Sequence, residues 1–285
     1  MMTITRFVLS ALALVSVFAG TLQAQQKPAA PSSVRLYILD CGTIVSMNPT
    51  NYDLKPEEIK GSLDFITPCY LVVHPKGTLM WDVGQIPDAN MPASGPGSQG
   101  PFRVNKKLLP QLAQLGYKVS DITFMAMSHY HSDHSANANE FAGSTWIVQE
   151  AERAAMFTEP PTQMAQFAQY SKLKDAKTIV VKNTDHDVFG DGTVVLKNAP
   201  GHTPGHQMLF LKLAKTGPVL LAGDLYHYPE ERTLDRVPSF DFDGKQTRET
   251  RKKTEEFLKT ARAQMWIQHD MALYEKLKRA PEFID

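Results

Sequence analysis

Ser128-His129-Tyr130-His131-Ser132-Asp133-His134 brings three imidazoles and one carboxylate into a single short loop, just after an apolar run at residues 122–127. Neutral imidazole nitrogen and carboxylate oxygen are the donors that a borderline divalent cation such as zinc prefers. A strict H-x-H-x-D-H string therefore reads as a metal site rather than as a solvated His-rich loop. Three later stretches each add a donor at the end of an apolar strand. In Ala199-Pro200-Gly201-His202-Thr203-Pro204-Gly205-His206 the Pro and Gly residues enforce a tight turn that presents His202. Ala222-Gly223-Asp224 and Ile267-Gln268-His269-Asp270 end their strands in the same way. Alone, such a His or Asp is a cap or a turn former; beside the first loop they form a ligand set.

Counting donors gives two sites. His129, His131 and His202 make a three-imidazole site, Asp133, His134 and His269 make a second, and Asp224 bridges the two. Each ion then keeps an open position for a shared hydroxide, and such a pair of cations activates water and polarises a carbonyl oxygen. A complete ligand set favours a hydrolase over a metal-binding protein without an activity.

The elements that must position these donors follow from patterning. The chain has 285 residues, 42% of them hydrophobic, enough for a full core. Lys plus Arg and Asp plus Glu balance at 30 each, which excludes the basic footprint of a nucleic-acid binder and points to a small neutral or amphipathic substrate. Strands are predicted at 34–40, 69–74 and 78–82, the last two joined by a Pro75-Lys76-Gly77 hairpin connection, and at 122–127, 145–148, 178–181, 193–198, 207–213, 219–222 and 265–268. Helices are predicted at 104–115, which stops at Gly116, at 150–157 and at 247–261. Arg248, Arg251, Lys252, Lys253, Glu255 and Glu256 of the last helix read as a solvated face. Two β-rich halves, each followed by helices, suggest two sheets packed face to face with helices outside.

At the N-terminus Arg6, the apolar residues 7–20 and Leu22-Gln23-Ala24 read as a cleavable export signal over 1–24, too short to span a bilayer. This predicts a periplasmic or secreted protein with no stable membrane insertion after cleavage, a tether at 25–33 and one hydrolase domain at 34–285. Cys41 and Cys69 sit in apolar, strand-like contexts and are read as two reduced core thiols, although an oxidising compartment would allow them to pair.

With these residues in place, the sequence resembles the metallo-β-lactamase superfamily, and within it the N-acyl homoserine lactonases. The intervals are similar to theirs: 68 residues from His134 to His202, 22 from His202 to Asp224 and 45 from Asp224 to His269. Leu39-Asp40-Cys41-Gly42, Pro68-Cys69-Tyr70-Leu71 and Trp81-Asp82-Val83-Gly84 also look like lactonase segments. The resemblance implies an α/β fold, an αβ/βα four-layer sandwich of two mixed β-sheets, with two zinc ions per chain and Asp82 and His206 supporting the ligands. It implies that the bridging hydroxide attacks the ring carbonyl of an acyl homoserine lactone and that Asp133 passes a proton to the departing ring oxygen. The acyl tail would lie on Ile86, Met91, Phe102, Met156 and Phe157. Lactonases of this family carry a Tyr three residues after the bridging Asp; here that place holds His227, flanked by Tyr226 and Tyr228. Tyr226 and His227 are the expected catalytic and substrate contacts, and which of the three neighbours touches substrate stays open. β-Lactamases of this fold lack a carboxylate equivalent to Asp224, and glyoxalase II enzymes carry a C-terminal helical domain for which the 16 residues after His269 leave no room. A metallo-β-lactamase or another metal-dependent ester or thioester hydrolase of the fold is the alternative to a lactonase, and phosphodiesterases of the superfamily also stay open.

Overall fold

The computed structural model describes residues 27–162 and 164–285. The export signal expected at 1–24 and the first two residues of the tether lie outside the described residues.

In chain order the strands are β1 (Arg35–Leu39), β2 (Thr43–Ile44), β3 (Phe65–Ile66), β4 (Cys69–His74), β5 (Gly77–Trp81), β6 (Gly97–Gln99), β7 (Phe102–Val104), β8 (Phe124–Ala126), β9 (Thr145–Gln149), β10 (Thr178–Val181), β11 (His186–Asp187), β12 (Val194–Asn198), β13 (Gln207–Leu213), β14 (Gly217–Leu221) and β15 (Gln264–Trp266). The helices are α1 (Leu108–Gln114), α2 (Ser132–Ser135), α3 (Glu150–Met156), α4 (Phe167–Tyr170), α5 (Pro229–Leu234), α6 (Gly244–Ala261) and α7 (Met271–Lys276).

Strand alternation sorts the apolar side chains into layers. Leu36, Ile38, Val72, Leu79 and Trp81 face Leu196, Leu209, Leu211, Val219 and Leu221 in a core shared by the two halves of the chain. The alternate residues Leu39, Leu71, Val73 and Met80 pack instead on Leu108 and Leu112 of α1. On the far side of the second sheet, Met208, Phe210 and Leu220 pack on Leu258 of α6. The result is helix, sheet, sheet, helix, the metallo-β-lactamase fold. A one-residue slip in any strand would exchange its two faces, so burial on both sides pins the register.

The first sheet has the order β1-β4-β5-β8-β9-β10 and the second β11-β12-β13-β14-β15. Both are mixed: β5-β8-β9-β10 and β14-β15 pair in parallel, and the remaining neighbours antiparallel. Parallel pairing sends the chain out of β5 and β8 at one end of the first sheet, and out of β14 and β15 at one end of the second. The residues that follow these strands, Asp82, the loop at 127–134, Asp224 and His269, are therefore delivered together.

Several sequence expectations are corrected. A third sheet of four short strands, β3-β2-β7-β6, was not expected, because strands of two or three residues show no readable period. It takes Val104 out of the helix predicted at 104–115, and α1 begins at Leu108. The start is set from outside the local sequence: Asp88 accepts from the N–H groups of Leu108 (2.9 Å) and Leu109 (2.8 Å), the two ends of its carboxylate satisfying donors that no neighbouring side chain caps. β11, α5 and α7 were likewise not anticipated. Arg251 is not on a solvated face; it is 3% exposed and paired with Glu231.

Cys41 and Cys69 are not free thiols but a disulfide, with Cα atoms 5.7 Å apart. The β1–β4 register sets Leu39 opposite Cys69, which carries Cys41, two residues beyond β1, alongside. Closing a loop across a separation of 28 residues is expected to stabilise the fold by about 3–4 kcal/mol. Denaturant titration of the Cys41→Ser/Cys69→Ser protein should show a loss of that order, and an unchanged midpoint would contradict the pairing.

Candidate metal centre

His129 and His131 leave the end of β8 and His202 sits in the turn after β12, and their ring nitrogens converge. His202 Nε2 lies 3.3 Å from His129 Nε2 and 3.1 Å from His131 Nδ1. Beside them, His134 Nε2 lies 3.3 Å from Asp133 Oδ2, and His269 Nε2 lies 3.7 Å from the same oxygen. Asp224 divides its carboxylate between the two groups. Its Oδ2 is 3.6 Å from His129 and 3.5 Å from His202, and its Oδ1 is 3.1 Å from both His134 and His269. Two clusters result, His129, His131, His202 with Asp224 and Asp133, His134, His269 with Asp224, each with its donor atoms within 4.8 Å of one another.

The donor set fits a metal ion in each cluster. His134 Nε2 and Asp224 Oδ1 are 3.1 Å apart and fully buried, yet neither makes a hydrogen bond. Both are donor atoms of the second cluster and are left there without a partner. Buried polar atoms left without a partner are costly, and a cation between them removes that cost.

Four of the ligand imidazoles are oriented from behind, as metal-bound imidazoles require. His134 Nδ1 faces Asp82 Oδ2 (2.9 Å), while the other oxygen of Asp82 accepts from the N–H of Ser128 (2.6 Å) and Gln268 donates to the same carboxylate. His129 Nδ1 meets Ser128 Oγ (3.0 Å), His202 Nδ1 meets Asp241 Oδ1 (2.8 Å), and His269 donates to the Ile66 carbonyl (2.8 Å). His206 does not join a cluster; its Nδ1–H donates to Ala199 O (3.0 Å) and its Nε2 accepts from Asp224 N–H (2.9 Å), which fixes the Asp224 turn. Gly223 adopts φ +53°, and a Cβ there would stand 2.6 Å from His206 Nε2, so the close approach needs glycine.

Glu152 of α3 ties the two ligand loops together. Its Oε1 accepts from Tyr130 N–H (2.8 Å), between two ligands, and its Oε2 accepts from Thr203 Oγ1 (2.7 Å) and Gly205 N–H (2.9 Å) beside His202. Burial pushes the Glu152 carboxyl up to about 7, against the pull of those hydrogen bonds.

The electrostatics separate the two clusters. Burial holds His129 and His131 well below the usual imidazole range, and His206 down to about 3, so all three are neutral. Burial alone would lower His134 as well, but Asp224, Asp133 and Asp82 lift it well above its ordinary value. Burial would raise the carboxyl of Asp133, yet His134 holds it down to about 2; Asp224 is likewise held well below the carboxylate range by His134, His269, His129 and His227. The second cluster is thus the more acidic one and demands positive charge.

The sequence pattern of the metallo-beta-lactamase superfamily matches residues 63–261, a span that carries every donor except His269. The chain belongs to the metallo-beta-lactamase superfamily. Among curated superfamily relatives, an N-acyl homoserine lactonase of a Bacillus species is 29% identical over 269 residues, covering 88% of this chain and 98% of that protein. The N-acyl homoserine lactonase AttM of Azorhizobium caulinodans is 28% identical over 270 residues, covering 89% and 100%. A solved quorum-quenching N-acyl homoserine lactone lactonase superposes with a TM-score of 0.73 at 25% identity, over 88% of this chain and 99% of that one. A second, an N-acyl homoserine lactone hydrolase solved with N-hexanoyl-L-homoserine at its catalytic metal centre, gives 0.72 at 25% identity over 88% and 100%.

In this member of the superfamily the clusters open into a cleft of about 210 Å³ walled by Ile44, Met47, Tyr52, Phe65, Phe102, Met164, His227 and Phe240, with Asp133 and Asp224 at its base. Phe102 and His227 are where the sequence expected substrate contacts. The other expected contacts are elsewhere. Ile86 and Met91 pack with Val104 in a separate apolar cluster, Met156 at the end of α3 lies in the core, and Phe157 packs against that core, edge-on to Trp146 and Tyr170. Tyr226 is buried beneath the Arg251 guanidinium at 4.1 Å, its hydroxyl on Glu255, and Tyr228 lines a neighbouring pocket behind Phe65. Ile86, Met91, Met156 and Phe157 were expected as apolar loop residues over the site, and they pack away from the cleft instead.

Asp241, Gln268, Glu152, Tyr52, Phe65 and Phe240 escaped the sequence reading. Asn48-Pro49 announces an ordered turn before Tyr52, but nothing local announces a buried carboxylate on α3.

Removing the Glu152 carboxylate in Glu152→Ala is expected to weaken metal binding about 10–100-fold in a chelator competition. Because the folded carboxyl titrates near 7 and the unfolded one near 4.5, the folded state holds its proton more tightly and this residue's contribution to stability falls as pH rises through that window. The unfolding free energy of metal-free wild type relative to Glu152→Gln should therefore decline across it; a flat difference would contradict an ionisable group in this brace.

Proposed function

We propose that this chain is a dinuclear zinc hydrolase that opens the ring of N-acyl homoserine lactones. The observation that carries this reading is the Asp224 carboxylate, one oxygen in each cluster, at the floor of a cleft with apolar walls. The lactonase names of relatives that align over nearly the whole chain support it. His129, His131, His202 and Asp224 would hold one ion, and Asp133, His134, His269 and Asp224 the other, a nitrogen and oxygen set suited to zinc. Bound there, the metals supply Lewis acidity toward the ester carbonyl and an activated water.

The chain supplies orientation and proton transfer. Ile44, Met47, Phe102 and Phe240 take the acyl tail, leaving the lactone ring over Asp133 and Asp224. Asp133 remains 14% exposed at the cleft floor, and its carboxylate is placed to deliver the proton that the departing ring oxygen needs. His227, at the rim of the same floor with Nε2 3.2 Å from Asp224 Oδ2, faces the carbonyl side. The narrow cleft and balanced charge suit one small substrate, not a nucleic acid.

Export follows the same line of inference. The signal-like residues 1–24 and the Cys41–Cys69 disulfide both fit an oxidising compartment. Mass spectrometry of the exported protein should find a chain starting near Gln25, and soluble cytoplasmic protein retaining Met1 would refute it.

Purified protein offered homoserine lactones, a β-lactam, a thioester and a phosphodiester should show its highest kcat/KM on a lactone. A penicillin or cephalosporin turned over more efficiently than every lactone would overturn the reading. Asp133→Asn should keep metal, since an amide oxygen can still ligate, and lose at least ~100-fold in kcat because it moves no proton. Undiminished turnover would remove Asp133 from proton transfer.

A further inference from the structure

The segment 225–236, which follows Asp224 and includes α5, is wrapped around one buried ion pair. Arg251 of α6 donates to Glu231 Oε2 at 2.7 Å, and the two side chains are 4% and 0% exposed. Arg251 also donates its Nε–H to the Leu225 carbonyl (2.9 Å) and an Nη1 hydrogen to the Arg236 carbonyl, so that α6 grips both ends of the segment. The other oxygen of Glu231 accepts from the N–H groups of His227 (3.0 Å) and Tyr228 (3.1 Å) and faces His227 Nδ1 at 3.2 Å. From the opposite edge of the ring, His227 Nε2 faces Asp224 Oδ2 at 3.2 Å and lines the cleft. The contacts run unbroken from Arg251 to the carboxylate shared by both clusters.

Stability alone does not account for this pair. Desolvating a guanidinium and a carboxylate offsets most of their attraction, and a well-packed apolar pair would serve a core as well. Geometry accounts for it better. A hydrogen on Nδ1 satisfies Glu231 and one on Nε2 satisfies Asp224, and a half-turn about Cβ–Cγ would set carbon atoms against both.

We propose that Glu231, anchored by Arg251, is a positioning residue of the active centre: it locks the His227 imidazole so that Nε2 is presented to Asp224 and to the substrate carbonyl. The proposal rests on the hydrolase reading above. Glu231 touches no substrate and acts through His227. A Gln in its place cannot reproduce the lock, because its amide group must turn an N–H toward either Arg251 or the three donors of residues 227 and 228.

The test is a double-mutant cycle of Glu231→Gln and His227→Phe, run on whichever ester the wild type turns over best, with metal content measured for each protein. Each single change should lower kcat about 10–100-fold while leaving metal content unchanged, and the double variant should be no worse than the poorer single. Losses that multiply, or full kcat in Glu231→Gln, would overturn the proposal, because Glu231 would then act independently of His227 or not at all. Should Glu231→Gln fail to fold, nitrogen-15 NMR of wild type with labelled imidazoles decides. The His227 ring, identified by the signal missing in His227→Phe, must carry hydrogen on Nδ1; a ring protonated at Nε2 alone contradicts the lock. A wild type that opens no lactone would defeat the substrate assignment, while the NMR arm would still judge the positioning role.

Discussion

One carboxylate sets the constraint on this molecule. Asp224 must reach two groups of imidazoles at once, from a turn buried at the junction of the sheets, and every other ligand has to be placed to the tolerance that this sharing imposes. Taking so many ionisable groups out of water costs several kcal/mol per unpaired charge. Donors of opposite charge facing one another reduce the cost, and cations in the clusters remove the remainder, so metal binding and folding of these loops are coupled.

The sandwich solves the placement problem through strand direction. Adjacent parallel strands deliver Asp82 and the 127–134 loop from one sheet and Asp224 and His269 from the other to the same place. Rigid side chains then hold the loops to one another: Asp82 links Ser128, His134 and Gln268, Glu152 links Tyr130 to Thr203 and Gly205, and His206 pins the backbone of Asp224. The small third sheet does a different job, carrying Ile44, Phe65 and Phe102 to the wall of the cleft. Metal chemistry and substrate shape are therefore carried by different parts of the chain.

That division explains what could be read from sequence. The ligands were legible because few residue types can serve a metal, and turn formers after apolar runs expose them; the long strands were legible through alternation. The cleft wall was not, since Tyr52, Phe65 and Phe240 come from loops and two-residue strands without period. Met156 and Ile86 look like pocket residues for the same reason they look like core. Charged residues on helices misled in one direction: Arg251 read as part of a solvated face, because burial of a charge depends on a partner elsewhere in the chain, here Glu231. Cys41 and Cys69 misled similarly, their pairing being a property of the β1–β4 register.

The central claim, that Asp224 makes one dinuclear centre from two clusters, is tested most directly by counting bound metal. Elemental analysis after equilibrium dialysis should find two ions in the wild type, one per cluster, and no more than one tightly held ion in Asp224→Ala. Two ions retained in Asp224→Ala with undiminished affinity would contradict it.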